Sequence, residues 1–276
     1  MDQEKKEKLL SLMDEYGQHD ICLAFSGGVD SSLLLKIACD SGRRNGTKVW
    51  GVTFDTMLHP ACDLENARRQ AAEMSACHVV LSIDELSQES IRHNPVNRCY
   101  LCKYSLFSAL RTFAEENGCK TVLDGTNEDD LHVYRPGIQA LKELEIKSPL
   151  AACGLTKTEV KELAAEYGIS AASRPSTPCI ATRLPYGAEL SYELLNKIER
   201  GEEYLRKELN HGGNQRNIRL RIHGEIARIE VDTECFSEVI EKREKISKKL
   251  KELGFSYFTL DLEGFRSGSM DIHVES

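Results

Sequence analysis

The chain has 276 residues, 41% hydrophobic and 29% charged, with a formal net charge of −8, enough for one large domain and a smaller one. The acidic balance disfavours a general nucleic-acid clamp, no apolar run approaches the length that crosses a membrane, and Met1–Lys8 is too charged for a signal peptide. The expected setting is the cytoplasm, where the ten cysteines, at 22, 39, 62, 77, 99, 102, 119, 153, 179 and 235, stay reduced.

Short apolar runs at Ile21–Phe25, Lys48–Phe54, His78–Ser82 and Thr121–Asp124 read as strands, alternating with helical stretches near 31–40, 63–76, 103–117 and 157–167. Such alternation predicts an α/β fold with a doubly wound parallel sheet. Each strand ends in polar or glycine residues, Ser26-Gly27, Asp55, Ser82 and Asp124-Gly125-Thr126-Asn127, so these ends are expected to line one crevice. The proline-rich polar stretch 173–179 predicts a loop, and a domain boundary near Leu184–Ala188 divides the chain into 1–186 and 187–276. Ser191 is placed to cap a helix running toward Leu209.

Further on, Ile218, Leu220 and Ile222 alternate with Arg219, Arg221 and His223, and Ala227, Ile229 and Val231 alternate with Arg228 and Glu230. Two half-buried strands follow. With Gly224-Glu225 as a two-residue hairpin turn, paired residue numbers sum to 449 and the apolar side chains close into one face. On the other face Arg219 opposes Glu230, while Arg221 opposes Arg228, an unfavourable like-charge pair. Two readings stand: an anion lies between these arginines, or the face is solvated and basic with local salt bridges. A charged helix over 237–253 and a strand over Tyr257–Leu262 complete a small β-β-α-β layer.

Residues 24–32, Ala-Phe-Ser-Gly-Gly-Val-Asp-Ser-Ser, join the first strand to the first of these helices. Gly27 and Gly28 remove Cβ where backbone must approach an anion, so successive N–H groups and the helix N-terminus can point at phosphate. This is not a Walker A loop, because no Gly-Lys-Ser/Thr follows and no lysine is placed to reach a terminal phosphate. Ser-Gly-Gly-x-Asp-Ser instead resembles the PP-loop family, whose members cleave ATP between the α and β phosphates and adenylate a substrate. On that resemblance the N–H groups of Gly27, Gly28, Val29 and Asp30, with Ser26 and Ser31, face the β,γ-phosphates, and Asp30 positions Mg²⁺. Thr53, Phe54 and Asp55 are expected at adenine, with Gly125 and Thr126 closing over the nucleotide.

Arg98-Cys99-Tyr100-Leu101-Cys102-Lys103 sets two thiols at C-x2-C spacing where a loop is expected to enter the helix ending at Asn117. A helix N-terminus and neighbouring cations favour thiolate. The spacing alone fits a redox pair, half of a zinc site or a cluster anchor, and a third ligand decides. Cys179, with cations on both sides in Arg174–Arg183, is the best candidate; three thiolates can hold a [4Fe–4S] cluster whose fourth iron stays open. Structural zinc needs a fourth ligand, for which His93 is nearest in sequence. Cys22, Cys39, Cys77, Cys119 and Cys153 read as small core or surface residues.

Ala24–Ser32, Arg98–Lys103, Asp124–Asp130, the stretch from Ser148 to Glu159, and Pro178–Pro185 together resemble the LarE family of ATP-dependent sulfur transferases, across both domains. The resemblance implies the PP-loop ATP pyrophosphatase fold (adenine nucleotide alpha hydrolase-like) with a smaller α+β C-terminal domain for substrate binding and oligomerisation. It implies that the carboxylates of pyridinium-3,5-biscarboxylic acid mononucleotide are adenylated and converted to thiocarboxylates, on the way to the nickel-pincer nucleotide cofactor of lactate racemase. Some members sacrifice the sulfur of a cysteine at the position of Cys179, leaving dehydroalanine. Members with three cysteines resemble cluster-dependent enzymes, so Cys99, Cys102 and Cys179 are expected to be catalytic and to hold a [4Fe–4S] cluster carrying an extra sulfide. Arg219 and Arg221 are expected on the substrate phosphate, with Glu230 nearby. The implied partners are the small-molecule substrate, other nickel-pincer biosynthesis proteins and further copies of the chain, without membrane or nucleic acid. A PP-loop tRNA thiolase is the alternative.

Overall fold

A computed structural model describes residues 2–59, 61–133, 135–170, 178–209 and 216–270, with side chains for all of these except 61–63. In chain order the elements are α1 (Gln3–Tyr16), β1 (Ile21–Ala24), α2 (Val29–Asn45), β2 (Val49–Asp55), α3 (Ala61–Glu73) and β3 (Cys77–Ser82). Then come α4 (Glu89–Arg92), α5 (Arg98–Glu116), β4 (Thr121–Leu123), α6 (Gly137–Glu143), α7 (Pro149–Ala152) and α8 (Lys157–Glu166). The rest is α9 (Tyr192–Leu209), β5 (Ile218–His223), β6 (Ile226–Val231), α10 (Phe236–Glu241), α11 (Arg243–Glu252) and β7 (Tyr257–Leu260). No described helix is long and apolar enough to cross a membrane.

The chain divides into two compact units, one of Met1–Thr56, Ala61–Glu85 and Asn97–Thr177, the other of Met57–Pro60, Leu86–Val96 and Pro178–Ser276. The second unit therefore begins upstream of the boundary read at 186 and draws in two short pieces of the N-terminal half. The connections are local: Ile180 N–H donates to Leu58 O at 2.9 Å, and Gly187 N–H and Leu190 N–H donate to Asn94 O and Arg92 O at 2.9 and 2.7 Å.

In the first unit a four-stranded parallel sheet runs β3-β2-β1-β4. Central β1 is apolar on both faces: Ile21 and Leu23 join a core with α1, α2, α3 and α8, while Cys22 joins a second core with α5 and α6. A continuous apolar run is what two-sided burial demands. The chain steps outward from β1 to β3 and then returns to β4 on the other side of β1, so the strand order reverses between β1 and β4, where α/β sheets place ligands.

The second unit holds a three-stranded sheet, β5-β6-β7, antiparallel then parallel. The hairpin has the register read from sequence, Ile218 opposite Val231 through His223 opposite Ile226. Its apolar face is buried as expected, but its arginine face is not solvated: Arg219, Arg221 and Glu230 are all buried. The chain returns over that face after β7, with Phe265 N–H on Val231 O and Ser269 Oγ on Glu230. The helix expected over 237–253 is two helices, interrupted at Lys242 (ψ 8°), which bonds Glu208 O and Glu238.

Candidate functional site

Phe25 N–H still pairs with Val52 O at 2.7 Å, after which Gly27 turns the chain at φ +70° and α2 begins. The N-cap of α2 is Gly28, which has no side chain to occupy the first amides of the helix; they remain open donors at the positive end of the dipole. Hydroxyls converge on the same turn. Ser26 Oγ lies 3.2 Å from Ser31 Oγ and accepts from Gly28 N–H at 3.3 Å, and Ser31 Oγ donates to Gly28 O at 3.2 Å. Val29 is buried and anchors the helix start.

Of the other residues expected at the nucleotide, Gly125 and Thr53 have contacts beside this turn. A Cβ on Gly125 would lie 3.1 Å from Ser31 N and 3.3 Å from Asp30 Cβ, so only glycine lets the end of β4 come this close. Thr126 Oγ1 and Ser148 Oγ each donate to buried Asp124 at 2.5 Å, fixing the turn after β4. Thr53 Oγ1 donates to Phe25 O at 2.6 Å, which leaves the hydroxyl to accept from His78 Nε2 at 2.8 Å. Burial, with Arg68 adding to it, pushes His78 below its ordinary value, consistent with that neutral donor role. Phe54 packs edge-on against Phe107 in the core, so its backbone alone is available to a base. Asp55 is exposed at the end of β2, with its carbonyl accepting from Ile83 N–H.

Two further side chains reach the loop, and of these only Lys157 was absent from the sequence reading. Asn127 Nδ2 donates to Asp30 Oδ1 at 3.1 Å, and Lys157 Nζ forms an ion pair with Asp30 Oδ2. A lysine does reach the loop, therefore, but from the first turn of α8, 127 residues downstream. Its helix is held by a capping box, Thr156 Oγ1 with Glu159 N–H and Glu159 with Thr156 N–H, and Lys5 of α1 pairs with Glu159 at 2.9 Å. Glu159 lies below its ordinary value because of the Thr156 backbone bond and then Lys5. The Thr-x-x-Glu pattern at 156–159 was a legible signal for this helix start.

The C-x2-C pair lies at the start of α5, Cys99 in its first turn and Cys102 just beyond it. Cys99 is exposed and 3.6 Å from an NH2 of buried Arg98, whereas Cys102 is buried. Cys179 belongs to the second unit, half-exposed at the start of a 3₁₀ turn over Ile180–Arg183. Among the described residues no group of three His, Cys, Asp or Glu side chains is arranged to hold a metal ion. His93 is turned to Glu89 at 2.9 Å. No disulfide joins the described cysteines, and burial raises the thiol values of Cys22, Cys39, Cys119 and Cys153.

In the second unit the carbonyl of Cys179 accepts from Thr182 Oγ1 at 2.7 Å and from an Arg183 NH1 at 3.2 Å. Arg183 is fully buried and paired with Glu202 through bonds of 2.7 and 2.9 Å. Arg221 donates to Thr182 O at 2.7 Å and to Glu230 at 3.0 Å, and Glu230 also takes Arg228 at 2.8 Å. The anion called for between Arg221 and Arg228 is thus Glu230 itself. Arg219, opposite Glu230 in register, lies over the Phe265 ring at 5.1 Å and donates to Ile218 O. No described carboxylate is within ion-pair distance of it. Burial, then the Arg183 charge, pushes Arg219 down to about 10, so it remains a cation at neutral pH. The pairing of Arg183 with Glu202 escaped the sequence reading, although a glutamate inside the apolar stripe Leu195, Ile198, Leu205, Leu209 of α9 was a signal.

A PP-loop domain model matches residues 1–133. Over 268 residues the chain is 34% identical to the pyridinium-3,5-bisthiocarboxylic acid mononucleotide synthase of Lactiplantibacillus plantarum, an alignment that covers 97% of this chain and 94% of that enzyme. The chain belongs to the LarE family. It is an ATP-dependent sulfurtransferase built on a PP-loop domain. An uncharacterized Synechocystis protein is 37% identical over 269 residues, covering 96% of this chain and 97% of its own. Similarity to the tRNA-specific 2-thiouridylase MnmA of Rickettsia bellii is weaker and partial, 28% over 202 residues, with 58% of this chain and 53% of that enzyme covered.

Proposed function

We propose that this LarE-family chain adenylates the carboxylates of pyridinium-3,5-biscarboxylic acid mononucleotide and converts them to thiocarboxylates, as a step toward the nickel-pincer nucleotide cofactor. The observation that carries the reading is the uncapped, hydroxyl-lined turn at Ser26–Ser31 in a chain similar along nearly its whole length to a bisthiocarboxylic acid mononucleotide synthase. A carboxylate oxygen is a poor leaving group, so the substrate carboxylate first attacks the α-phosphorus of ATP. Pyrophosphate departs into the cradle of Gly27, Gly28, Val29 and Asp30 amides with Ser26 and Ser31, accompanied by Mg²⁺ and by Lys157 at Asp30. Adenine lies at Thr53–Asp55, and Gly125 and Thr126 flank the nucleotide. Arg219 and Arg221 hold the substrate phosphate; that no described carboxylate is within ion-pair distance of Arg219 supports this.

Sulfur then attacks the acyl carbonyl and AMP leaves. In one version Cys179 gives up its own sulfur: Cβ–S breaks, Cα loses its proton and dehydroalanine remains. In the other, Cys99, Cys102 and Cys179 would hold a [4Fe–4S] cluster, which would supply an open iron for a sulfide. The donor chemistry supports the second version at Cys99 and Cys102, two thiols three residues apart on one helix with Arg98 beside them. The same reading has the chain working in the cytoplasm, self-associating, and passing its product to other nickel-pincer proteins.

The test is incubation with ATP, Mg²⁺ and the mononucleotide, following pyrophosphate and the mass of the product. Thiocarboxylate formation with stoichiometric AMP is expected; pyrophosphate release without sulfur incorporation defeats the reading. Iron and acid-labile sulfide that disappear in Cys102→Ala support the cluster, whereas an iron-free active protein whose mass falls by one H₂S supports sacrifice of Cys179. Salt-sensitive tRNA binding with thiolation of tRNA instead of the mononucleotide would establish the thiolase alternative.

A further inference from the structure

Helix α3 meets the pyrophosphate loop at the Gly27 carbonyl. Gly27 O accepts from two side-chain amides of that helix, Asn66 Nδ2 and Gln70 Nε2, each at 2.8 Å. A Cβ on Gly27 would lie 2.9 Å from Asn66 Nδ2 and 3.0 Å from the Ala67 backbone, so loop and helix are in direct contact.

A peptide unit is planar and trans, so its C=O and N–H point in opposite directions. Two donors on Gly27 O therefore fix the following N–H, that of Gly28, away from α3. On that side it meets Ser26 Oγ at 3.3 Å. Two consecutive glycines leave this peptide otherwise easy to rotate, and a rotated peptide would present a carbonyl oxygen to a phosphate.

Stability does not explain Gln70. The residue is fully buried, its Oε1 has no hydrogen-bond partner among the described residues, and its neighbours Ala67, Ala71 and Met74 belong to the apolar core. An orphaned buried acceptor is a cost that an apolar side chain of the same length would avoid. What Gln70 adds is the donor. Asn66 is oriented the same way: its Oδ1 accepts from an Arg69 NH2 at 2.8 Å, which leaves Nδ2 to Gly27.

We propose that Asn66 and Gln70 are positioning residues for the pyrophosphate of ATP, clamping Gly27 O so that the Gly28 N–H stays turned to the β,γ-phosphates. The inference rests on the reading that this loop binds those phosphates. It assigns the clamp to nucleotides carrying a pyrophosphate and not to AMP.

Calorimetric titration of wild-type, Gln70→Met and Asn66→Ala/Gln70→Met protein with ATP, inorganic pyrophosphate and AMP, all with Mg²⁺, tests it. Gln70→Met is expected to weaken ATP and pyrophosphate about tenfold, and the double variant about a hundredfold. AMP affinity stays at the wild-type value, and Gln70→Met melts no lower than wild type because the orphaned oxygen is gone. ATP affinity unchanged in Gln70→Met overturns the proposal, as does parallel weakening of ATP and AMP, which marks a structural role alone. Wild-type protein that binds neither ATP nor pyrophosphate overturns the ATP reading itself, and the clamp with it.

Discussion

Replacing Glu202 by glutamine separates charge from shape at the centre of the second unit. The carboxylate takes Arg183 through two bonds of 2.7 and 2.9 Å, Arg206 at 3.3 Å and the Leu220 N–H at 2.9 Å. The Arg183 and Glu202 side chains are 1% and 4% exposed, so solvent screens little of the interaction. Glutamine keeps one acceptor oxygen and leaves the buried guanidinium without its countercharge, a change that costs about 3–5 kcal/mol. Against a total stability of roughly 5–15 kcal/mol, and with a urea slope of about 2 kcal/mol per molar, the unfolding midpoint should fall by roughly 2 M. Urea unfolding followed by circular dichroism measures it. Arg183→Met/Glu202→Met removes both charges together and should lose less than Glu202→Gln, even though the Leu220 N–H then lacks its acceptor. A loss under about 1 kcal/mol in the single variant, or a larger loss in the double, would refute the view that this pair is a desolvated, mutually dependent unit.

The same carboxylate sets an acid limit. Burial raises Glu202 and the Arg183 bonds more than reverse this, leaving the folded value below its ordinary 4.5; the unfolded chain therefore binds more protons in that window, and stability present above pH 4.5 is lost as pH falls through the folded value. Urea midpoints across an acid series should show a shallower decline in Glu202→Gln, and an undiminished one would contradict the assignment. Lys157→Met removes the cation at Asp30 and should cut pyrophosphate release roughly ten- to a hundredfold, the worth of a charge-assisted bond; unaltered turnover would confine Lys157 to a structural role. In Gly125→Ala the new Cβ meets Ser31 N at 3.1 Å, where backbone cannot swing aside; ATP affinity should drop about tenfold, and an unchanged affinity would show that β4 and α2 can separate freely. Phe265→Ala strips the ring from Arg219 and should weaken binding of inorganic phosphate about fivefold, whereas equal binding would remove Phe265 from the site.

What was legible in the sequence was whatever repeats locally. The strands of the first sheet are short apolar runs closed by turn residues, and the hairpin register followed from a period of two and a fixed turn; Ile218 opposite Val231 needs nothing else. Lys157 and Gln70 were illegible for the opposite reason. Each looks like a polar residue on a helix, and its partner lies 127 or 43 residues away. Burial of the arginine face was hidden too, because alternation describes one strand and its faces, while the cover comes from Phe265 and Ser269 on a later segment. Lys242 interrupts a stretch whose charge pattern suits one continuous helix, and its bond to Glu208 O ties it to a different helix.

On the proposed reading the two phosphate-directed sites are made of different materials, and the reaction gives a reason. Pyrophosphate must leave after each adenylation. The Ser26–Ser31 turn meets it with backbone amides and hydroxyls, donors without a net charge, and the nearby Lys157 already has Asp30 as its partner. The substrate phosphate, by contrast, must stay while two carboxylates are processed in turn. It is offered Arg219, a guanidinium already stripped of water by burial and lacking a described carboxylate, beside an Arg221 neutralised by Glu230. A desolvated cation without a countercharge gains more from an arriving anion than a solvated one does, so release should be slow where retention is useful and fast where turnover requires it. Exchanging the materials, with an arginine at Ser26 for instance, should tighten pyrophosphate and lower turnover together.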